Sequence, residues 1–349
     1  MFTDEHMLLR EIREQPGAIR NTIGAESHEI DQVARLLRGR RIHFIGMGSS
    51  YFASLYANYL LAELKHSAPV NHLASEFIHY PSTIPTNEIT IALSQSGESV
   101  ETVKAIQILK KKGNFVVGVT NEPHSALAKL SDRVLLTRAG RERASSTKTF
   151  ASTLAILYCL VVSVAAQSKQ INARKRDLLF GKLMQMTRTM DESMESWNRD
   201  AIHQSSKLLN CEAAMVLGRG PNLPAALQGA LLLKEVAKLP AEGMSSGEFA
   251  HGPIEAISRK ISIVVLGGGR TSKLQYRLAL RSKALQAKVL MITPHEVRNV
   301  DSICHGDTDE YLGVLSCAAL LELLAYHAAV RKGLNPDHFN IIHKVTRRE

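Results

Sequence analysis

One stretch of the chain concentrates side chains that bind anions. Residues 94–99 read Ser-Gln-Ser-Gly-Glu-Ser and lie between an apolar run and a segment with helical periodicity. Hydroxyls beside the free N–H groups of a helix N-terminus form a cradle that suits phosphate. Capping of the helix by Ser96 or Ser99 is the competing interpretation. Because capping needs only one such residue, we favour phosphate binding.

Further hydroxyls follow two other apolar runs. Ser49 and Ser50 come after the turn Gly46-Met47-Gly48, and residues 144–149 read Ala-Ser-Ser-Thr-Lys-Thr, where helix capping is again an alternative. The turn lacks the third glycine of a dinucleotide fingerprint, and the chain has no Walker lysine here. The sequence therefore favours a phosphorylated metabolite over a nucleotide, with Ser49, Ser50, Glu142, Ser145, Ser146 and Lys148 as candidate substrate ligands.

Candidate proton-transfer groups lie in the second half of the chain. Glu235 is near the end of a predicted helix over 226–236, and the Gly-rich turn 241–253 carries Glu242, Glu248 and His251. Interconversion of an aldose and a ketose needs a base between C1 and C2 and a second group to open the ring. A carboxylate whose pKa is raised by burial and an imidazole near neutrality suit these roles. Ion pairing or turn formation could explain each residue alone, but we interpret them as a cluster.

The elements that must position these groups follow a repeated pattern. Apolar runs that end in small residues alternate with helical segments, which predicts parallel strands covered by helices on both faces. Gly46 and Gly218 are 172 residues apart, and Thr120 and Thr293 are 173 apart, which indicates an internal duplication. The predicted fold class is α/β, with two similar doubly wound parallel-sheet domains of flavodoxin type in tandem.

The expected organisation has five parts: an N-terminal helical segment over 1–37 with a break near Pro16-Gly17, a first domain over 38–167, a helical connector over 168–200, a second domain over 201–334 and a tail over 335–349. The apolar stretch 150–166 is short for a bilayer span and is interrupted by Ser and Thr, so we expect a buried core helix and no membrane association.

Composition limits the partners and the compartment. The 349 residues carry a formal charge of +10, but the basic residues are scattered and aromatics are only 5%, so an anionic metabolite is favoured over nucleic acid. Four cysteines without a CxxC pattern indicate a reduced, cytoplasmic setting, and the acidic N-terminus is unlike a signal peptide. No His or Cys spacing suggests a metal, and no cofactor is expected.

The sequence resembles the double sugar-isomerase (SIS) domain family, especially the isomerase half of glucosamine-6-phosphate synthase, from about Arg41 to Thr346. The resemblance rests on residues 48–51, 94–99, Glu142, 146–148, 234–235 and 246–253. It implies that Glu235 is the C1/C2 base, that His251 assists ring opening from a neighbouring subunit, and hence that the protein is a homodimer with its site at or near the subunit interface. It also implies a sugar-phosphate grip formed by Ser50, Ser94, Gln95, Ser96 and Ser99.

Departures from the synthase indicate another activity. A glutaminase domain with its Cys nucleophile is not found here, Leu232 stands where the synthase pattern has Lys, and His343, before Lys344, replaces a C-terminal Lys. The motifs 335–337 (Asn-Pro-Asp) and 344–346 (Lys-Val-Thr) resemble the tails of stand-alone deaminases of the family. Lys344 or His343 is expected to close over the site.

The expected activity is hydrolysis of glucosamine 6-phosphate to fructose 6-phosphate and ammonia. Three alternatives stay open. They are another phosphosugar isomerase or deaminase acting on galactosamine or fructosamine phosphates, an ammonia-dependent isomerase of the synthase type, and a sugar-phosphate sensor without catalysis.

Overall fold

The computed structural model describes residues 6–339 and 341. The strands of this part of the chain are β1 (Ile42–Gly46), β2 (Val70–Leu73), β3 (Ile89–Leu93), β4 (Phe115–Thr120), β5 (Arg133–Leu136), β6 (Ala213–Gly218), β7 (Ala241–Ser245), β8 (Ile261–Leu266), β9 (Lys288–Thr293) and β10 (Asp301–Cys304). Its α-helices are α1 (Met7–Arg13), α2 (Gln15–Leu37), α3 (Gly48–Glu63), α4 (Ala74–His79), α5 (Val100–Lys111), α6 (Ala126–Leu130), α7 (Lys148–Gln167), α8 (Ala173–Gln204), α9 (Leu223–Glu235), α10 (Ser246–Phe249), α11 (Ser272–Ala284) and α12 (Gly313–Arg331).

The strands form two separate five-stranded sheets with the same topology. The first has the order β2-β1-β3-β4-β5, and the second, written from β7, has the order β7-β6-β8-β9-β10. Every neighbouring pair is parallel. The predicted fold class, two similar doubly wound α/β domains, is therefore confirmed.

Burial on both faces explains why the central strands were visible in the sequence. All five residues of β1 and of β3 are buried, and β8 is buried from its second residue onward. Parallel strands between two helical layers are apolar along their length, as these runs are. Ile45, Ala92 and Val116 contribute to one core cluster, and Leu217 and Val265 contribute to another.

The segment 241–253 is not the Gly-rich turn that the sequence suggested. Residues 241–245 form edge strand β7, and 246–249 form the short helix α10. A Cβ on Gly243 would lie 2.6 Å from the carbonyl oxygen of Ala226 in α9. This glycine therefore allows β7 and α9 to pack closely, and it does not mark a turn.

The helical segments mostly follow expectation. The break predicted near Pro16-Gly17 lies at Glu14, between α1 and α2, and α8 forms the helical connector. Helices α7 and α12 are long and apolar enough to cross a bilayer, but 89% of the most apolar window of each is buried inside the fold. The stretch 150–166 is thus part of a buried helix, as predicted.

Two compact units divide the chain, and neither is continuous in sequence. The first-sheet unit comprises 14–142, 148–187 and Ile341, and the second-sheet unit comprises 6–13, 143–147 and 188–339. Helix α1 and the segment 143–147 therefore belong with the second sheet. The domain boundaries proposed from the sequence remain predictions.

Candidate functional site

In the first sheet, β1 and β3 flank the point where the strand order reverses, which is where open α/β sheets bind ligands. A Cβ on Gly46 would lie 3.1 Å from the carbonyl oxygen of Leu93, so a larger residue here would require the two strand ends to move slightly apart. Gly48 follows with φ +48°. Ser49 and Ser50 are half-buried in the first turn of α3, and their hydroxyls make no hydrogen bond within residues 6–339. Both hydroxyls are available at the switch point.

The loop 94–99 is held by its own side chains. The Ser94 hydroxyl accepts a hydrogen bond from the N–H of Gly97 (3.1 Å), and the Ser96 hydroxyl accepts one from the N–H of Glu98 (3.2 Å). Gly97 has φ +63°, and a Cβ there would lie 2.1 Å from the hydroxyl of Ser125. The loop conformation therefore depends on glycine at this position.

No side chain caps helix α5, which follows this loop. Ser99 occupies the N-cap position, but its hydroxyl donates to the carboxylate of Glu101 (3.0 Å) and accepts nothing from the helix backbone. The helix dipole and the first N–H groups of α5 thus remain directed at the loop, as an anion site requires. The simple capping interpretation does not describe Ser99. Gln95 is half-buried, and its carbonyl anchors the loop to the N–H of Asn121 (3.0 Å).

Glu142 and Lys148, expected to bind substrate, have other partners. The carboxylate of Glu142 accepts hydrogen bonds from the N–H (3.1 Å) and hydroxyl (2.6 Å) of Thr149. The Lys148 ammonium, whose side chain is 5% exposed, pairs with Glu14 at 2.6 Å. Both side chains fix the beginning of α7, so neither presents an uncommitted charge to a ligand.

In the second-sheet unit, the hydroxyl-bearing segment 143–147 is held from two sides. The carboxylate of Glu11 in α1 accepts from the N–H groups of Arg143 (2.6 Å) and Ala144 (3.1 Å). The side-chain amide of Gln228 in α9 donates to the carbonyl oxygen of Ser146 (2.7 Å). Ser145 is buried and Ser146 half-buried in this segment. Sequence analysis missed Glu11 and Gln228, whose role depends on contacts remote in sequence.

Glu235 is the last residue of α9 and is half-buried. Gln228, Leu232 and Glu235 lie four and three residues apart, so they share one face of the helix. The rise per residue puts Glu235 about 10 Å along α9 from Gln228. The carboxylate and the segment held by Gln228 are thus on the same face of one element.

Glu235 and His251 lie on either side of β7 along the chain. Glu235 precedes the amino end of β7, whereas His251 follows its carboxyl end. A parallel strand of five residues spans about 16 Å. The interpretation of Glu235, Glu242, Glu248 and His251 as one cluster remains a prediction. His251 is exposed, as are Glu242 and Glu248.

Arg219 is a cation that sequence analysis overlooked. It occupies the turn after β6, and a Cβ on Gly247 in α10 would lie 2.6 Å from its Nη2 atom. Its guanidinium makes no hydrogen bond or ion pair with other residues of the described ranges, while its backbone carbonyl accepts from the N–H of Asn222 (3.3 Å). Arg219 lies 172 residues after Met47, which occupies the equivalent turn of the first repeat. A comparison of the two repeats at this spacing could have identified Arg219 from the sequence.

Two further observations concern metals and the tail. Within residues 6–339 and 341, no group of three or more His, Cys, Asp or Glu side chains could hold a metal ion. His343 and Lys344 lie outside the described residues.

Comparisons with known proteins agree with this architecture. The SIS domain model matches residues 35–163 and 207–304. The glutamine–fructose-6-phosphate aminotransferase [isomerizing] of Gloeobacter violaceus is 33% identical over 95% of this chain and 57% of its own length. That of Pyrococcus horikoshii is 34% identical over 95% of this chain and 56% of its own length. The chain thus spans little more than half of these relatives.

Solved structures give the same result. The C-terminal domain of glucosamine-fructose-6-phosphate aminotransferase from Francisella tularensis has a TM-score of 0.88 and 25% identity, covering 94% of this chain and 97% of that one. A glucosamine-6-phosphate deaminase from Thermotoga maritima has a TM-score of 0.77 and 21% identity, covering 97% and 99%. At this identity the deaminase shares the fold, and the likeness extends no further.

Proposed function

Because the chain belongs to the SIS domain family, we propose that it binds a phosphosugar and is a glucosamine-6-phosphate deaminase. The observation that carries the proposal is the position of Glu235 on the same face of α9 as Gln228, which holds the hydroxyl-bearing segment 143–147. A carboxylate base on the helix face that also holds a hydroxyl-bearing segment suits proton transfer on a sugar. The uncapped N-terminus of α5 supports a phosphate site.

In the proposed reaction the phosphate binds at loop 94–99 with the hydroxyls of Ser49 and Ser50. Ser145 and Ser146 contact the sugar, while Glu142 and Lys148 maintain the start of α7. Glu235 takes the C2 proton of the open-chain aldehyde and returns it to C1, which leaves an imine at C2. Water adds to that imine and ammonia departs, giving fructose 6-phosphate. No cofactor is needed for these steps.

Ring opening requires a further acid–base group, which we assign to His251 of a second copy. Within one chain, β7 separates His251 from Glu235, and His251 is exposed. A homodimer that exchanges this residue would complete each site. Mixing inactive E235Q and H251N chains in equal amounts should then restore about a quarter of the wild-type rate, because half of random dimers contain one intact site. No recovery after subunit exchange would refute the shared site.

The first experiment is ammonia release from glucosamine 6-phosphate, with galactosamine 6-phosphate in parallel. We expect E235Q to lower kcat about a thousandfold, the size of effect that general-base removal has. E242Q, an exposed carboxylate on neighbouring β7, is the matched control and should retain the rate. Binding of both sugars without any release of ammonia would overturn the deaminase assignment.

An ammonia-dependent isomerase is the second candidate, supported by the identity of 33% to the Gloeobacter aminotransferase. It would form glucosamine 6-phosphate from fructose 6-phosphate and ammonium. Comparing kcat/KM in both directions distinguishes the two enzymes, and a sensor would bind either sugar without turnover.

A further inference from the structure

Helix α1 is fixed at both ends by buried or partly buried carboxylates within the second-sheet unit. At its N-terminus, Asp337 accepts hydrogen bonds from the N–H groups of Met7 and Leu8, both at 2.8 Å. These are two of the donors that a helix N-terminus leaves unsatisfied. His6 adds a contact between its Nδ1 atom and the hydroxyl of Tyr326 (2.9 Å). The Asn-Pro-Asp motif of the tail therefore anchors α1.

At the other end, Glu11 anchors the segment that carries Ser145 and Ser146. Its side chain is only 4% exposed, and its two carboxylate oxygens accept from consecutive N–H groups, those of Arg143 and Ala144. Charge-assisted hydrogen bonds of this kind are about twice as strong as neutral ones. A buried carboxylate is retained only where such donors compensate its desolvation.

Gln228 holds the same segment from the opposite direction. It is 1% exposed and donates from α9 to the carbonyl oxygen of Ser146. The segment is therefore fixed between α1 and the helix that ends in Glu235. A displacement of α1 would move Ser145 and Ser146 relative to that helix.

The tail also reaches the end of α9. Lys238 donates to the carbonyl oxygen of Glu235 and, at 3.4 Å, to that of His338, the neighbour of Asp337. Residues 337–338 thus contact both the beginning of α1 and the turn after the proposed base.

We propose that α1 is a strut, in which Asp337 fixes its N-terminus and Glu11 is a positioning residue for the substrate-binding segment 143–147. The expected effect of the strut on catalysis rests on the proposed function. The contacts that make α1 a strut belong to the fold and do not depend on that function. Loss of either carboxylate displaces Ser145 and Ser146, weakening substrate binding and leaving the proton transfer at Glu235 intact.

The test uses E11Q, D337N and the double variant in the full chain. We expect E11Q to raise KM about tenfold, the effect of about 1.4 kcal/mol, with kcat changed less than twofold. D337N should raise KM by a smaller factor. The double variant should resemble E11Q, because two substitutions that act through one element are not additive.

E26Q is the matched control. Glu26 is also 4% exposed and accepts from the N–H of Leu136 (3.1 Å) and from Arg138 (2.7 Å), but in the first-sheet unit. We expect E26Q to lower the melting temperature as much as E11Q and to leave KM unchanged. Equal KM increases in both variants would show a general loss of stability and overturn the positioning role.

Hydrogen exchange at the amides of Arg143 and Ala144 tests the strut without any substrate. Exchange should accelerate in E11Q and, through α1, in D337N, but not in E26Q. Unchanged exchange in D337N would refute the strut even if the deaminase assay succeeds. A wild-type protein without turnover would refute the proposed function, while the exchange result would still decide the strut.

Discussion

The turns after β1 and β6 have nearly the same backbone and different side chains. Met47 has φ −131° and ψ 153°, and Arg219 has φ −141° and ψ 144°. In the first repeat, the sulfur of Met47 accepts from the N–H of Ser75 in α4 (3.4 Å). In the second repeat, the Arg219 guanidinium lies against Gly247, the equivalent position in α10. Duplication preserved the turn, while the chemistry it carries changed.

The loops after β3 and β8 differ in the same way. Gly97 and Gly269 have almost equal φ values, +63° and +61°. Next to Gly269, however, lies the carboxylate of Glu310, which also pairs with Arg270 at 2.9 Å. This carboxylate neutralises the local cation and repels phosphate. Loop 94–99 also has a carboxylate nearby, since Glu101 accepts from Ser99, but the side chains nearest Gly97 are those of Ser125 and Thr120, whereas the side chain nearest Gly269 is that of Glu310.

The largest expected contrast comes from alanine at the two loop glycines. G97A places a Cβ 2.1 Å from the hydroxyl of Ser125, a short side chain with little freedom, whereas G269A meets the flexible side chain of Glu310. Both substitutions place a side chain on a residue with a positive φ, which costs about 1–2 kcal/mol. G97A should lose about 2 kcal/mol more in the free energy of unfolding, since overpacking adds to the strain. Urea unfolding measures the free energy of unfolding of both variants. Equal losses in G97A and G269A would show that the two loops tolerate a Cβ equally well.

A smaller contrast is expected at the helix starts that follow. S99A removes a hydroxyl of the proposed phosphate site and should raise KM for the phosphosugar about tenfold, or about 1.4 kcal/mol. S272A, at the exposed first residue of α11, is the matched control and should leave KM unchanged. Similar KM values for both variants would contradict a phosphate site confined to the first repeat.

The smallest expected effect is a loss of stability at acidic pH, and we expect it in both units. Burial lowers the pKa of His305 in the second-sheet unit to about 4, and burial with the nearby His43 lowers the pKa of His72 in the first-sheet unit to about 4. The unfolded chain takes up these protons near pH 6.5, before the folded chain does. Stability should therefore fall as the pH decreases from about 6.5 to 4.

Melting temperatures between pH 7 and 5 test this expectation. H305Q and H72Q should each reduce the loss of stability, and H28Q, at an exposed position in α2, should not. No reduction in either buried variant would contradict the expected contribution of these two histidines.

Local sequence patterns predicted the interior of each sheet well and its edges poorly. Strands β1, β3 and β8 were found because burial on both faces makes them uniformly apolar. Strands β2 and β7 are half-exposed at sheet edges and include polar residues, so they lack that pattern. Gly243 also misled the interpretation, because close packing against α9 requires glycine just as a turn can.

The candidate site was predictable where neighbours in sequence form it. Loop 94–99 could be identified because a strand end, the hydroxyls and a helix start follow one another. The strand β7 between Glu235 and His251 could not be predicted, because its polar residues and Gly243 resemble those of a turn. Glu11 was missed for a different reason, since its partners Arg143 and Ala144 are more than 130 residues away.

The contact between α1 and Asp337 has a consequence for how the protein is made. The two partners are 330 positions apart, so α1 leaves the ribosome long before the residue that caps it exists. A seven-residue helix is too short to persist alone in water. A helix made 330 positions before the residue that caps it is therefore among the last elements to become ordered, and the second-sheet unit is not complete until Asp337 has been synthesised.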